Sequence, residues 1–419
     1  MEPKHVLIIG GGFAGLNAAK ALSNHAEVRV TLVDQRNYHL FQPLLYQVAT
    51  AGLNPSDIAV PIRAQFSKAK NVEVHLGKVD RIDLKTQQIH GREGSVRYDY
   101  LVLACGAQHS YFGNDHWEEF APGLKTLEQA TEMRRRLLSA FEAAENELDP
   151  ARQARLLTFV VVGGGPTGVE LAGAIADISR TVLVKDFKRI NPADAKVILI
   201  EAGKRVLAQL SESLSERTAS DLVHLGVDLR LNQRVTKIDA TGVEIGSGHI
   251  ASECVFWAAG VQAGALSKTL GVALDRAGRI TVNPDLAIPG YPNAFVVGDL
   301  ASLDLGGGIF LPGLAPAAIQ TGKYAGQAIL REIHGKTRQK FRYVDKGQMA
   351  TIGKHRAVAE TGRLKLTGFI AWMAWLFIHI LYLIGFKNRM GVLVDWAWNY
   401  LFSKRGARLI TSRDWKLDR

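Results

Sequence analysis

Short, wholly apolar runs alternate along this chain with stretches that suit helices. HVLII (5–9) and VRVTLVD (28–34) flank the helix-forming stretch LNAAKALSN, and TFVVV (158–162) and KVILI (196–200) flank LAGAIADIS. Strands that are buried on both faces of a parallel sheet read as continuous apolar runs, and a helical crossover joins each strand to the next. The pattern therefore predicts an α/β fold with parallel sheets.

A glycine-rich turn follows the first run. Gly10, Gly12 and Gly15 form GxGxxG between the predicted strand and helix, and Asp34 ends the next strand 19 residues later. The glycines allow a tight turn, close approach of a pyrophosphate, and close packing of helix on strand, and the helix dipole favours the phosphate charge. An acid at this distance accepts hydrogen bonds from an adenosine ribose. Together these features predict a dinucleotide site.

The same arrangement occurs a second time, 153 residues further on. Gly163, Gly165 and Gly168 follow TFVVV, and Glu201 ends KVILIE after an insertion at TVLVKDFKRINPADA. A carboxylate at the ribose repels a 2′-phosphate, so Glu201 favours NADH over NADPH. The nearby Lys204 and Arg205 are evidence against this preference, because positive charges tolerate a 2′-phosphate.

Composition narrows the class of protein. The 419 residues predict two or three domains, and 51 Lys+Arg against 40 Asp+Glu give a net charge of +11. That charge suits an anionic partner, either a lipid surface or phosphate-bearing ligands, whereas nucleic acid is discounted because the charge is concentrated in the tail. The two cysteines, Cys105 and Cys254, make neither a disulfide framework nor a thiol redox pair, and histidine spacing predicts no metal site. MEPKHVLIIGGGFAG lacks the features of a signal peptide.

Further segments resemble the two-dinucleotide-domain flavoprotein oxidoreductases, in which FAD binds the first fold and NAD(P)H the second. These segments are YDYLVLACGA (98–107), CVFWAAGV (254–261) and NAFVVGDLA (293–301). Within that superfamily the chain is most similar to the type II, non-proton-pumping NADH:quinone oxidoreductases. NYHLFQPLLYQVATAGLNPSDIAVPIR (37–63), GAQHSYFGNDHWEEFAPGLKTLEQA (106–130), LPGLAPAAIQTGKYAG (311–326) and DKGQMATIGKHRAVAE (345–360) carry this resemblance.

The resemblance implies two Rossmann-like domains, for FAD and for NADH, and a C-terminal helical region that binds a membrane. The expected boundaries are an FAD domain at 1–125 and 281–345, a helical linker at 126–157, an NADH domain at 158–280, and membrane attachment at 346–419. Non-covalent FAD is expected at Gly10, Gly12, Phe13, Ala14, Gly15, Asp34, His39, Gln42, Ala104, Gly106, Asp299 and Gln320. NADH is expected at Gly163, Gly165, Pro166, Thr167, Gly168, Glu170, Glu201, Ala259 and Gly260.

Three residues are expected to take part in catalysis. In the family the glutamate that matches Glu170 faces the nicotinamide–flavin junction; the alternative is a first-turn carboxylate stabilised by the helix dipole. Gln320 and Thr321 are expected to begin a helix whose N–H groups face the flavin and stabilise its reduced, anionic form, or to act as ordinary capping residues. For His39 and Gln42 a purely structural loop is the alternative.

A quinone site is expected at Tyr46, Ala315, Pro316, Ile319 and His379. Many family members have Ala-Gln where this chain has Ala315-Pro316. Proline has neither a side-chain donor nor an N–H, so a glutamine-to-quinone hydrogen bond cannot be carried over. His379 is expected either at the quinone or at an interface.

The C-terminal tail looks like a lipid-binding segment. Residues 369–386 carry no formal charge, and on a helix over 388–403 the polar residues fall in one arc: Asn388, Asp395, Asn399 and Ser403. Tryptophans and eight Lys/Arg against three Asp/Glu from Lys387 onward suit an anionic membrane interface. Two helical arms in one leaflet on the cytoplasmic face, without a span, are therefore expected. Burial of this hairpin at a dimer interface is the alternative, and a homodimer is left open.

Three functions follow from these features. The first is a membrane-associated, FAD-dependent NADH:quinone oxidoreductase that uses ubiquinone or menaquinone. The second is a soluble reductase of the same fold for an iron–sulfur or rubredoxin-type partner, which predicts no lipid-binding tail. The third is an NADH-sensing flavoprotein with negligible turnover.

Overall fold

The computed structural model describes residues 2–92, 94–246, 248–402 and 406–411. Its α-helices are α1 Phe13–Leu22, α2 Leu45–Ala49, α3 Pro55–Ile58, α4 Ile62–Gln65, α5 Leu127–Asn146, α6 Pro150–Leu156, α7 Pro166–Asp177, α8 Glu212–His224, α9 Ala315–Ile333, α10 Gly368–Tyr382 and α11 Phe386–Phe402. Its strands are β1 Lys4–Ile9, β2 Val28–Asp34, β3 Tyr38–Leu40, β4 Ala59–Pro61, β5 Val72–Leu76, β6 Val79–Asp83, β7 Gln88–Gly91, β8 Gly94–Arg97, β9 Tyr100–Leu103, β10 Ala107–His109, β11 Thr158–Val162, β12 Lys196–Ile200, β13 Val227–Arg230, β14 Val235–Asp239, β15 Gly242–Ile245, β16 Gly248–Ala251, β17 Cys254–Trp257, β18 Val261–Ala263, β19 Ile280–Thr281, β20 Ala287–Ile288, β21 Tyr291–Val296, β22 Ala301–Ser302, β23 Gln348–Gly353, β24 Arg356–Thr361 and β25 Leu364–Thr367.

The chain folds into two compact units. The first comprises the described residues up to Leu40 with Ala59–Gln108 and Val261–Lys346, and the second comprises Phe41–Ile58, His109–Gly260 and the described residues from Gly347 onward. These limits differ from the predicted domain boundaries. Residues 41–58 and 109–125 belong to the second unit, residues 261–280 belong to the first, and the C-terminal region continues the second. Sequence motifs mark the nucleotide loops, but they do not show on which unit a connecting segment packs.

A six-stranded sheet forms the centre of the first unit, in the order β20-β21-β9-β1-β2-β5. Strand β1 pairs in parallel with both β2 and β9, and β20 pairs antiparallel at the edge. The residues Val6–Ile8 of β1 are fully buried, as expected of a central parallel strand that is covered on both faces. The predicted parallel sheet is confirmed.

Helices α1 and α9 of the first unit pack closely because small residues line their interface. A Cβ on Gly322 of α9 would overlap the carbonyl oxygen of Ala14 in α1, and a Cβ on Gly326 would lie 2.9 Å from the carbonyl oxygen of Ala18. Such an approach is open only to glycine. It holds α9 directly against the helix that begins at the first glycine loop.

The second unit contains a four-stranded parallel sheet in the order β13-β12-β11-β17. A buried aromatic group lies against it, where the ring of Trp257 in β17 is 5.1 Å from that of Tyr111 and 5.7 Å from that of Trp117. The indole of Trp257 also donates to the carbonyl oxygen of Ser110 at 2.9 Å. With this sheet, the second Rossmann-like fold predicted from the glycine motif is confirmed.

The C-terminal region begins with a three-stranded antiparallel sheet, β23-β24-β25, which the sequence analysis did not predict. Strand β23 packs directly on α7, where a Cβ on Gly173 would overlap the carbonyl oxygen of Ile352. The sheet therefore joins the region that follows residue 346 to the helix of the second glycine loop.

Two helices, α10 and α11, follow this sheet where residues 369–386 and 388–403 predicted helical arms, although α10 ends at Tyr382. Within the described residues, none of the helices combines the length and the apolar character needed to cross a membrane. Ser403, 404–405 and the chain end at 412–419 lie outside the described residues.

Candidate active site

The first glycine loop is shaped to bring backbone close to a ligand. Gly10 has φ +103°, and a Cβ on Gly15 would overlap the carbonyl oxygen of Gly10, so helix α1 starts directly against the end of β1. By contrast, a Cβ on Gly12, the N-cap of α1, would meet no atom within 4 Å. The open side of the loop is thus the face over the helix N-terminus, where a pyrophosphate is stabilised by N–H groups and by the dipole.

Asp34 is anchored to this loop by backbone hydrogen bonds. Its Oδ2 accepts from the N–H of Gly11 at 2.5 Å, and its Oδ1 accepts from the N–H of Arg36 at 2.7 Å. A carboxylate has about four acceptor positions, and these bonds use one on each oxygen. The carboxylate is therefore fixed in orientation and retains acceptor capacity for a ribose hydroxyl.

The second loop repeats this geometry in the other unit. Gly163 has φ +112°, a Cβ on Gly168 would overlap the carbonyl oxygen of Gly163, and Gly165 is open. Glu201 accepts from the N–H of Gly164 through Oε2 and from the N–H of Gly203 through Oε1, both at 2.6 Å. The two loops therefore share one backbone geometry and one pattern of backbone hydrogen bonds to a carboxylate at the strand end. Of the other residues predicted for NADH, Pro166 and Thr167 begin α7, and Ala259 and Gly260 follow β17.

His39 is a buried histidine with one unpaired nitrogen. Its Nδ1 lies 3.0 Å from the carbonyl oxygen of Gly11, so Nδ1 carries the proton and donates. Its Nε2 is buried without a partner among the described residues. Burial lowers the pKa of His39 to about 4, and the ring meets Phe13 edge to face at 5.0 Å. His39 thus presents a neutral acceptor beside the first loop.

The other residues predicted for FAD are divided between the units. Ala104 and Gly106 follow β9, and Asp299 lies in the turn after β21; both places belong to the first unit. Gln42 belongs to the second unit, where its Nε2 donates to the carbonyl oxygen of Lys125 at 3.4 Å.

The prediction that Gln320 and Thr321 begin a helix is wrong. Helix α9 begins at Ala315 after the N-cap Leu314, and Ala318 N–H already bonds to Leu314 at 3.0 Å. The N–H groups of residues 320 and 321 therefore belong to the helix interior. Pro316 in the first turn is a start signal that was present in the sequence.

The side chains of these two residues support local structure. Gln320 donates from Nε2 to the carbonyl oxygen of Val344 at 2.9 Å and accepts from its N–H at 3.0 Å. Thr321 is fully buried, donates to carbonyl oxygens of its own helix, and accepts from the N–H of Gly298 at 3.0 Å. Thr321 thereby fixes the turn that carries Asp299.

Glu170 in the first turns of α7 is a buried carboxyl group. Burial raises the pKa of Glu170 to about 8, although the N–H of Thr351 at 3.4 Å and the indole of Trp375 both act to lower it. Because a pKa of about 8 lies above neutrality, the group holds a proton at pH 7. Neither partner was predicted, because Thr351 and Trp375 are more than 180 residues away.

Helix α10 presents one buried stripe, Ala371, Trp375 and His379, at four-residue spacing. The ring of His379 stacks on that of Trp375 at 4.0 Å, and its Nδ1 donates to the carbonyl oxygen of Trp375 at 2.7 Å. Burial lowers the pKa of His379 to about 4, so the ring is neutral. Tyr46 of α2 meets Trp375 at 6.4 Å and Phe41 meets His379 at 6.2 Å, which places both in the same unit as Glu170.

The five residues predicted for the quinone site are likewise divided between the two units. Tyr46 and His379 belong to the second unit, whereas Ala315, Pro316 and Ile319 lie in the first turns of α9 in the first unit.

Helix α11 turns its polar arc toward protein. Asn388 donates to the carbonyl oxygens of Ser56 and Asp57 at 2.8 and 2.9 Å, and Asn399 donates to that of Gly52 at 3.4 Å. Asp395 belongs to the same arc, and burial and the nearby charge of Asp57 raise its pKa.

The opposite faces of α10 and α11 are apolar and exposed, and together they are called the apolar surface here. Its residues are Phe369, Ile370, Met373, Phe377, Leu381, Tyr382, Phe386, Met390, Leu393, Val394, Trp398, Leu401 and Phe402. Exposed apolar patches of this extent mark surfaces that bind membrane or protein.

Comparison with known proteins assigns two stretches of the chain to known families. Residues 4–322 match the family described as pyridine nucleotide-disulphide oxidoreductase, and residues 346–405 match the NDH2 C-terminal domain. The type II NADH:quinone oxidoreductase Ndh of Mycobacterium tuberculosis is 46% identical over 97% of this chain and 90% of its own length. The NdhA protein of that organism is 45% identical over 97% of this chain and 89% of its own.

This chain belongs to the type II NADH:quinone oxidoreductase family. The NDH2 of Plasmodium falciparum in complex with NADH has the same fold, with a TM-score of 0.88 at 19% identity over 98% of this chain and all of the other. The family resemblance predicted from residues 37–63 and from the tandem glycine motifs is confirmed.

The first unit of this type II NADH:quinone oxidoreductase fits FAD. The open face at Gly12 and the anchored carboxylate of Asp34 suit an adenosine diphosphate group. The Nε2 of His39 is a buried acceptor that a ligand donor would satisfy, and a buried acceptor without a partner is otherwise costly. Among the described residues, no cluster of His, Cys, Asp and Glu could hold a metal ion.

Proposed function

We propose that this member of the type II NADH:quinone oxidoreductase family oxidises NADH at the Glu201 loop and reduces a membrane quinone, with FAD at the Asp34 loop and without pumping protons. The observation that carries the proposal is the pair of loops with one bonding pattern, in which each strand-end carboxylate is held by two backbone N–H groups. Bound FAD supplies what side chains cannot, the acceptance of a hydride and the delivery of two electrons.

At the first loop, the chain's own residues bind and orient the flavin nucleotide. Asp34 would accept a hydrogen bond from the adenosine ribose, and the open space at Gly12 would admit the pyrophosphate to the N-terminus of α1. Thr321 holds the turn at Gly298, and Asp299 in that turn would hydrogen-bond the ribityl chain, as the family resemblance implies. Gln320 supports the first unit through its two hydrogen bonds to the backbone of Val344, which hold the segment after α9 in place.

At the second loop, Glu201 selects NADH. Its two backbone bonds hold the carboxylate at the strand end, where a ribose 2′-hydroxyl donates to it and a 2′-phosphate is repelled. Arg205 offsets the repulsion of a 2′-phosphate only weakly, because its guanidinium already donates to the carbonyl oxygen of Ala208 at 3.2 Å.

Glu170 handles a proton or positions a substrate in this account. A carboxyl group with a pKa of about 8 is neutral at working pH and can donate a hydrogen bond or a proton. Reduction of a quinone to a quinol takes up two protons, and Glu170, beside Trp375 and near Tyr46 and His379, is a suitable source of one. His379, with a pKa of about 4, serves as a neutral hydrogen-bonding group and does not supply a proton.

The apolar surface attaches the protein to one leaflet on the cytoplasmic face of the membrane. Phe386 and Leu401 are 80% and 72% exposed, although burial of one such side chain is worth roughly 1.5–3 kcal/mol. The basic residues from Lys387 onward favour anionic lipid. A homodimer that covers part of this surface is the alternative partner, and cross-linking in lipid vesicles distinguishes the two.

Quinone-dependent oxidation of NADH by the detergent-extracted protein tests the proposal. A type II enzyme reduces a ubiquinone or menaquinone analogue with NADH, whereas a reductase for an iron–sulfur partner prefers that protein and a sensor shows negligible turnover. A reporter fused to the C-terminus of the protein in intact cells tests the topology. A reporter found outside the cytoplasm would contradict attachment to the cytoplasmic face.

A further inference from the structure

Gln47 on α2 bonds in two directions within the second unit. Its Oε1 accepts from the indole Nε1 of Trp396 in α11 at 2.8 Å, and its Nε2 donates to the hydroxyl oxygen of Tyr46 at 2.9 Å. Residues 47 and 396 are 349 positions apart in sequence. The bond therefore joins the helix that bears the apolar surface to a short helix in the N-terminal part of the chain.

The indole of Trp396 determines the orientation of the Gln47 side-chain amide. An indole N–H only donates, so the amide oxygen must face Trp396 and the NH₂ group must face Tyr46. The hydroxyl oxygen of Tyr46 then accepts from Gln47, and its own proton is directed away from Gln47. Two hydrogen bonds thus fix the direction of the buried Tyr46 hydroxyl group from the side of α11.

Tyr46 connects Gln47 to the surroundings of Glu170, the buried carboxyl group of α7. Its ring meets that of Trp375 in an edge arrangement at 6.4 Å, and the ring of Trp375 stacks on that of His379 at 4.0 Å. Helix α2 also packs on α7, the helix that carries Glu170. These contacts connect α11, through Gln47 and Tyr46, to the residues around Glu170.

We propose that Gln47 is a positioning residue for quinone reduction, which couples the membrane-facing helix α11, through Trp396, to the orientation of Tyr46. This inference rests on the proposed function. Gln47 itself does not touch the reacting atoms in this account. Its role is to keep the Tyr46 hydroxyl in the one direction that the bond from Trp396 allows.

The test uses the full-length, FAD-loaded protein on vesicles of phosphatidylcholine and phosphatidylglycerol. Trp396→Phe keeps an aromatic side chain and removes the N–H donor. Gln47→Leu removes both hydrogen bonds of Gln47, and the double variant completes a double-mutant cycle. Asn388→Ala is the matched control, because Asn388 anchors the same helix to Ser56 and Asp57 without contact with Gln47. KM for a short-chain ubiquinone analogue, KM for NADH, ferricyanide reduction and vesicle binding are measured for each variant.

We expect Trp396→Phe and Gln47→Leu each to raise the KM for the quinone about three- to tenfold, because both variants lose the hydrogen bond between Gln47 and Trp396. The double variant should be little worse than either single variant, since both remove the same coupling. The KM for NADH, ferricyanide reduction and vesicle binding should stay unchanged, and Asn388→Ala should leave the KM for the quinone unchanged. Gln47→Glu, which turns a second acceptor toward Tyr46, should also raise that KM.

Two results would overturn the inference. One is an unchanged KM for the quinone in Trp396→Phe and Gln47→Leu, and the other is an equal rise in Asn388→Ala, which would show that docking of α11 alone matters. If Trp396→Phe loads less FAD, Gln47→Met, which retains the length of the side chain, takes its place under the same criteria. Absence of quinone activity in the unmodified protein would instead contradict the proposed function.

Discussion

At the scale of single residues, the carboxylates of Asp34 and Glu201 occupy equivalent positions with equivalent bonds, yet we propose that they bind different nucleotides. Glu201→Gln removes the charge that repels a 2′-phosphate. Because unit charges ~4 Å apart interact by about 1 kcal/mol even in water, we expect the kcat/KM ratio of NADH to NADPH to fall about fivefold or more. Steady-state kinetics with both cofactors measures this, with Glu212→Gln on the surface of α8 as the control. Equal kcat/KM for the two cofactors in the unmodified protein would contradict the role of Glu201.

The raised pKa of Glu170 predicts a pH dependence of stability. Between about pH 4.5 and 8 the folded protein holds a proton on Glu170 that the unfolded chain has released, so rising pH favours unfolding across this window. The Glu170→Gln variant has an uncharged side chain at this position at every pH, so it lacks this fall in folding stability. We therefore expect the Tm of the variant, relative to that of the unmodified protein, to rise from pH 5 to pH 8. A Tm difference that does not vary with pH would show that the carboxyl is not buried in the neutral form.

At the scale of elements, the contact of α9 with α1 predicts a steric effect. Gly322→Ala places a Cβ on the carbonyl oxygen of Ala14, so the helices must separate, at a cost of about 1–3 kcal/mol. Since Ala14 lies within the first glycine motif, the FAD content of the variant should fall together with its stability. Gly391→Ala in α11 is the matched control, because a Cβ there meets nothing within 4 Å and alanine favours a helix. Similar Tm values and FAD contents in the two variants would contradict this packing.

The apolar surface on α10 and α11 predicts how the protein binds membranes. Phe386→Glu, Val394→Glu and Leu401→Glu together should weaken binding to anionic vesicles at least a hundredfold, because each exposed side chain loses roughly 1.5–3 kcal/mol of burial in lipid. FAD content and NADH–ferricyanide activity should remain. Vesicle flotation measures the binding, and Val223→Glu, an exposed apolar residue of α8, should have no effect. Continued flotation of the triple variant would place the membrane contact elsewhere.

The elements that sequence could predict are those whose signal is local. Each glycine loop, its strands and its carboxylate lie within about 40 residues, so spacing alone identified both loops. The start of α9 was missed although Pro316 marks it, because the motif at residues 320–321 was taken as the beginning of the helix. The surroundings of Glu170 could not be predicted, since Thr351 and Trp375 reach it only through tertiary packing.

At the scale of the whole molecule, the polar arc on α11 shows why the tail was only partly predictable. Periodicity gave the arc, but an amphipathic helix can turn its polar side to water or to protein. Here Asn388 and Asn399 bond to the segment 52–57, so the apolar side faces outward. The family comparison shows a type II NADH:quinone oxidoreductase, and the apolar surface supports the proposed attachment of the tail to a membrane.

An anaerobic titration of the FAD-loaded protein in lipid vesicles tests this account most directly. One equivalent of NADH per protein should bleach the flavin absorbance, and one equivalent of a ubiquinone or menaquinone analogue should restore it fully. Bleaching by NADH without recovery on addition of either quinone would contradict the central claim and favour a reductase with another acceptor.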